Sequence, residues 1–240
     1  MNLFDRAIAA TLPFVPKAVV WQFSKKYIAG TSMEDASSIT RALNDLGMCA
    51  TIDLLGEDTT SKGDAECATG KYFEILDTIH AMNLDSGISL KPTQLGLKLE
   101  KQYCYGNIRS IAEKADSLGI YVRIDMEDHT CTHDTLDIYY RLKKDFPNVG
   151  IVLQAYLKRT LDDVRTLIQH RGNVRLCKGV YIEPEEIAYR HRQKVRDNFL
   201  LLLEELLKGR CYVGIATHDD YLVEGSYKIN ISHMIATQID

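Results

Sequence analysis

The sequence is short of several features that would place it quickly. Its six cysteines (Cys49, Cys67, Cys104, Cys131, Cys177 and Cys211) form no C-x-x-C pair. Several lie in apolar runs, where cysteine behaves as a small buried hydrophobe, and a reducing compartment accounts for them. Basic residues are not massed in any block, and 29 Lys and Arg against 33 Asp and Glu leave a net charge of −4. A nucleic-acid partner therefore has no electrostatic footing. The N-terminus lacks the basic start, apolar core and small-residue cleavage site of a secretory signal, and no run approaches the roughly 18 apolar residues of a membrane span. The expectation is a cytosolic protein with no transmembrane segment. The G-x-G-x-x-G fingerprint of a dinucleotide-binding sheet is also missing.

What is present is size and a recurring pattern. With 240 residues, 45% of them hydrophobic, the chain can bury a sizeable core. Near the start, Ile8, Val15, Val19, Val20, Phe23 and Tyr27 recur at roughly helical spacing, interrupted near Pro13 and Pro16, and predict a helical arm over residues 1–45 that includes "SMEDASSITRALNDLG". Short apolar runs ending in polar clusters follow: "MCATIDLLGE", "GISLKPTQLG", "GIYVRIDMEDH", "VGIVLQAYLKR", "NVRLCKGVYIE" and "YVGIATHDD". Amphipathic helical segments separate them. Near-continuous apolar strands alternating with helices imply a parallel sheet buried on both faces.

Two architectures remain, an open doubly wound sheet and a (β/α)8 barrel. Polar residues at the end of nearly every strand favour the barrel, which gathers all strand ends at one mouth. The fold class expected is therefore α/β, of the (β/α)8 TIM-barrel type. About six of the eight units are visible, over residues 46–228, with an atypical tail at 229–240.

The strand ends offer Asp53 and Glu57, Lys91, Asp125 with Glu127, Gln154 with Tyr156, Arg175 with Lys178 and Tyr181, and Thr217 with His218. Lys91 and Asp125 fall on neighbouring strands, so an ion pair across the mouth is expected. In "VRLCKGVYIE", strand alternation sends Arg175 and Lys178 to opposite sides until Gly179 bends the chain. Two cations and a phenol at one strand end suit an electron-rich or anionic ligand, and Gly179 lets a flat ligand approach the backbone. An isolated charge at a strand end is more often a solvated loop residue, but five such ends together point to a site. The cluster Glu127, Asp128, His129, Cys131 and His133 lacks the spacing of a metal site. It reads instead as polar loop and helix start, with Thr130 or Thr132 as the cap.

The motifs "YVRIDMED", "GIVLQAYLKRT", "VRLCKGVYIEP" and "IATHD", in this order over about Ala36 to Lys228, resemble those of the monofunctional bacterial proline dehydrogenases. The resemblance implies a distorted (β/α)8 barrel that holds FAD and oxidises L-proline to Δ1-pyrroline-5-carboxylate. It further implies electron transfer to a quinone at a membrane surface, by a cytoplasmic protein visiting the inner face of the membrane. Carried over residue by residue, Gln154, Arg175, Lys178, Gly179 and Tyr181 match flavin-contacting positions, and Thr217 and His218 match a strand end beside the FAD. Lys91, Asp125 and Tyr181 match the substrate pocket. The sequence has "KGVY" where the family usually has "KGAY", so Val180 adds bulk beside the flavin.

After "THDDYLVEGSYKI" the family continues with two more strands and a final helix that supplies paired arginines for the proline carboxylate. "INISHMIATQID" matches neither the helix continuation nor the seventh strand. The expectation is a proline dehydrogenase with a truncated chain that lacks that carboxylate-binding segment. An alternative is a non-catalytic flavin-binding or misfolded fragment. A third reading, a barrel enzyme acting on a phosphate-bearing substrate, is disfavoured because the late strand ends that bind phosphate are the ones not seen.

Overall fold

The computed structural model describes residues 29–237, with side chains described to residue 230. The helical stretch expected from Ile8 to Tyr27 lies outside the described residues. Two compact units divide between Ala50 and Thr51. In the first, helix α1 (Met33–Asp45) begins where sequence chemistry places it. The Ser32 side chain accepts from the Asp35 N–H at 3.2 Å, and the Asp35 carboxylate accepts from the Ser32 N–H at 3.3 Å. This reciprocal pair satisfies two otherwise orphaned donors. Gly47, at φ +75°, follows the last turn.

The second unit repeats strand and helix: β1 (Ala50–Asp53), α2 (Lys62–Ala81), β2 (Ser86–Leu90), α3 (Lys101–Ser117), β3 (Val122–Ile124), α4 (His129–Lys143), β4 (Val149–Gln154), α5 (Thr160–Ile168), β5 (Asn173–Cys177), α6 (Arg192–Lys208), β6 (Tyr212–Ala216) and α7 (Asp220–Thr237). The strands lie in sequence order β1 to β6 in one sheet. From β2 onward each pairing is parallel, with registers such as Ile88↔Val122, Ile124↔Ile151, Leu153↔Leu176 and Leu176↔Ile215. Each strand pairing with the next, with a helix in between, is the winding of a (β/α)8 barrel rather than of a doubly wound sheet, whose order reverses. Six of its units are described.

Burial follows the sequence pattern. Every residue of β2 and of β4 is buried, as strands covered on both faces require. In β5, by contrast, Val174 and Leu176 are buried while Asn173, Arg175 and Cys177 are partly open, so Arg175 faces away from the helix layer's apolar residues. That layer is anchored by Tyr72 and Leu76 of α2, Tyr139 of α4 and Phe199, Leu202, Leu203 and Leu206 of α6, all fully buried. Among the described residues β1 and β6 each have one neighbour, and Tyr212 and Ile215 of β6 are exposed. In α7 the helical backbone continues through residues 229–237, the segment set apart by its sequence.

One local expectation is corrected. The cap of α4 is Asp128, whose Oδ1 accepts from the Thr130 N–H at 2.8 Å, not Thr130 or Thr132. An acidic side chain is a stronger acceptor for an N-terminal N–H, and it also complements the positive end of the helix dipole.

Candidate active site

Strands β2 to β6 point their C-terminal ends the same way, so residues just beyond each of them converge. Lys91, the residue after β2, is the centre of one constellation. Its ammonium lies 2.5 Å from Asp53 Oδ2 at the end of β1 and 3.2 Å from Asp125 Oδ2 just beyond β3. The ion pair expected between Lys91 and Asp125 is thus present, with Asp53 as a third member. Asp125 is held from a second side by the Ser89 hydroxyl, which donates to Oδ1 at 2.6 Å, and Arg175 Nη1 lies 3.9 Å from the same oxygen.

Burial opposes the charge on Lys91, but the hydrogen bond it donates to Asp53 and the charge of Asp125 outweigh it and hold the ammonium above its ordinary range. Burial also pushes the Asp53 carboxyl up, against the pull of Lys91. Lys91 is therefore a fixed cation that positions its neighbours, not a base awaiting a proton.

β5 sends its cations in two directions, as strand alternation predicts. Arg175 turns toward Asp125 and toward Thr51 of β1, whose Oγ1 lies 3.4 Å from Nη2. Lys178 turns to Asp219, 3.4 Å away. Asp219 directly follows Thr217 and His218 at the end of β6, and it is almost wholly buried. It also receives two hydrogen bonds from Arg196 of α6, at 2.7 and 3.1 Å, and lies 3.5 Å from Arg192. The bidentate Arg196 contact leads the effects that hold the Asp219 carboxyl well below its usual range. Thr217 accepts from the Asp219 N–H at 3.1 Å, and His218 is exposed.

Gly179 has φ +100°, a backbone region that disfavours a side chain, and an added Cβ would collide with the ring of Tyr156. The chain turns there and brings Tyr181 across to the β1 side, where its hydroxyl donates to Glu57 Oε1 at 3.2 Å. Burial raises the Tyr181 phenol, so it stays protonated and a donor. Gln154 donates from Nε2 to the Met126 carbonyl at 3.0 Å, and its buried Oε1 has no partner among the described residues.

The residues expected at a site thus form two groups. Lys91, Asp125, Arg175 and Tyr181 cluster with Asp53 and Glu57. Lys178, Thr217 and His218 gather around Asp219. The cluster "EDHTCTH" serves the fold: Glu127 binds the Thr93 N–H, Asp128 caps α4, and the His129 ring and backbone N–H meet Glu183. Asp219 was not singled out in the sequence. Its only signal is adjacency to a strand-end Thr-His pair, which any loop aspartate could share.

Comparison with known proteins decides the family. The proline dehydrogenase family model matches residues 36–235. The chain belongs to the proline dehydrogenase family. Proline dehydrogenase 1 of Bacillus subtilis subsp. natto is 34% identical over 213 residues, which is 88% of this chain and 70% of that protein. Proline dehydrogenase of Deinococcus radiodurans is 33% identical over 221 residues, 90% of this chain and 71% of that one. Among solved structures, proline utilization A from Corynebacterium freiburgense superposes with a TM-score of 0.79 at 22% identity. That match covers 99% of this chain, which spans 28% of the larger protein, and at such identity it shows the fold alone. The family match extends past Lys228, to residue 235.

Proposed function

We propose that this proline dehydrogenase family member oxidises L-proline to Δ1-pyrroline-5-carboxylate with FAD as its cofactor. The observation that carries the proposal is the fixed cation Lys91 held between Asp53 and Asp125 at the ends of β1, β2 and β3, with Tyr181 at the same mouth. The reaction removes a hydride from the ring CH2 beside nitrogen and a proton from the amine, leaving a C=N bond. Such chemistry asks for orientation more than for a strong acid or base. Lys91 and Asp125 are assigned the shaping of the proline pocket, and Tyr181 the wall over the proline ring.

The residues also fit a flavin. Gln154 keeps a buried Oε1 with no donor among the described residues, Gly179 presents bare backbone, and Arg175 and Lys178 place a cation on either side of the strand end. Val180 and Ile182, 83% and 76% exposed, flank Tyr181 with apolar surface suited to a flat ring. Gln154, Arg175, Lys178, Gly179, Tyr181, Thr217 and His218 are therefore assigned to FAD. FAD, when bound, supplies the hydride acceptor and a route for the electron pair to a quinone at a membrane surface. Positive charge from Arg175 favours the developing negative charge of that acceptor. Among the described residues no helix is long and apolar enough to cross a membrane, so contact with the inner face of the cell membrane is proposed as peripheral.

Incubating the FAD-loaded chain with L-proline and a soluble quinone tests the proposal. A product two hydrogens lighter than proline, formed beyond one equivalent per flavin only when both are present, supports it. Flavin retained without such a product would favour the alternative of a non-catalytic flavin-binding fragment.

A further inference from the structure

Glu127 stands two residues beyond Asp125, buried, and it is held by Thr93 rather than by a cation. The Thr93 N–H donates to Oε2 at 2.8 Å and the Thr93 hydroxyl to Oε1 at 2.5 Å. Thr93 in turn stands two residues beyond Lys91. The two segments joined by the Lys91–Asp125 ion pair are therefore joined a second time, one step further from the sheet.

Thr93 carries more than this rung. Its Oγ1 accepts from the Asp58 N–H at 3.0 Å, and its carbonyl accepts from the Thr59 hydroxyl at 3.0 Å and the Thr59 N–H at 3.3 Å. Beside it Gly56 rests against the Gln94 side chain, closely enough that a Cβ would strike the Gln94 amide. The loop between β1 and α2 thus sits on Thr93 and Gln94. That loop carries Glu57, the acceptor for the Tyr181 hydroxyl.

We infer that Glu127 is a positioning residue: by orienting Thr93 it fixes the β1–α2 loop and so sets where Glu57 meets Tyr181 at the mouth. The logic is that of a single hydroxyl. Thr93 has one proton and two lone pairs, and the Glu127 carboxylate, ionised above about pH 7, only accepts. Glu127 therefore accepts the hydroxyl's hydrogen bond and leaves a lone pair aimed at the Asp58 N–H. A glutamine there offers a competing N–H to the same oxygen. The consequence for turnover rests on the proposed proline reading; the link from Glu127 to the loop does not.

Hydrogen–deuterium exchange on the full chain, at a pH above about 7 where Glu127 is ionised, separates the two. In Glu127→Gln and in Thr93→Val, amides of residues 54–60 should exchange about tenfold faster or more, while those of β2 and β3 keep their protection. Thr93→Ser, which restores the hydroxyl, should exchange like the parent. With FAD loaded, the two disruptive variants should raise KM for proline several-fold and leave kcat within about twofold, because the pocket wall is loosened while the pocket cation is not. Unchanged exchange at residues 54–60 overturns the inference. So does loss of protection throughout β2 and β3, which would mark Glu127 as merely structural. Selective loosening of the loop in a chain that never turns over proline would uphold the positioning and remove the proline reading instead.

Discussion

Asp125 accepts from Ser89, pairs with Lys91 and faces Arg175, so three side chains lose a common partner when it is removed. Asp125→Ala should lower kcat/KM for proline by about a hundredfold while FAD stays bound, since an ångström of misplacement in a positioning site costs about that much. Steady-state kinetics with the flavin content measured alongside checks this. Glu127 supplies a pH signature. Burial, reinforced by Glu57 and opposed by Thr93 and Lys91, lifts its carboxyl from the ordinary 4.5 to about 7. Between those values the folded chain holds a proton that the unfolded chain has lost. Its contribution to stability is therefore complete below about 4.5 and disappears as pH rises through about 7. Urea unfolding across that window should show a slope of this sign in the parent and a flatter one in Glu127→Gln. At this scale the sequence revealed residue types at strand ends, and the neighbouring pair Lys91 and Asp125 followed from strand order. It did not reveal Asp53 as the third partner, the Thr93–Glu127 rung or the role of Asp219. Those depend on where loops fold back, and loop geometry leaves no period in the sequence.

Strands and helices were legible because their periods are physical requirements. Short, largely apolar runs became β2 and β4, buried along their whole length. The alternation in β5 placed Arg175 and Lys178 on different sides, and their partners proved to be Asp125 and Asp219. The cap of α4 was misread by two residues or more because threonine and aspartate both cap, and only geometry decides between neighbours. Helix α6 offers a test of the layer that supports the mouth. Phe199 is fully buried, so Phe199→Ala should lower the unfolding free energy by about 3–5 kcal/mol, the cost of lost transfer energy and a cavity. Glu204→Ala, on the exposed face, should change it by no more than about 0.5 kcal/mol. Chemical denaturation of both variants reads the difference.

For the whole molecule, six strands in sequence order bring chemically dissimilar loops to one end of the sheet, which is why residues as distant in sequence as Glu57 and Tyr181 meet there. The sequence carried this architecture because each βα unit repeats the same hydrophobic grammar. Pairing of Lys178 with Asp219, and of Tyr181 with Glu57, required the units to be set side by side. Family membership then gives the assembled mouth a chemistry that geometry alone leaves open among the many that barrels support. The most direct measurement is an anaerobic addition of L-proline to the purified, FAD-loaded chain, followed by its absorption spectrum. The account predicts loss of the oxidised flavin band on adding L-proline and its return when a quinone is supplied. An oxidised band that stays unchanged at saturating L-proline would contradict it.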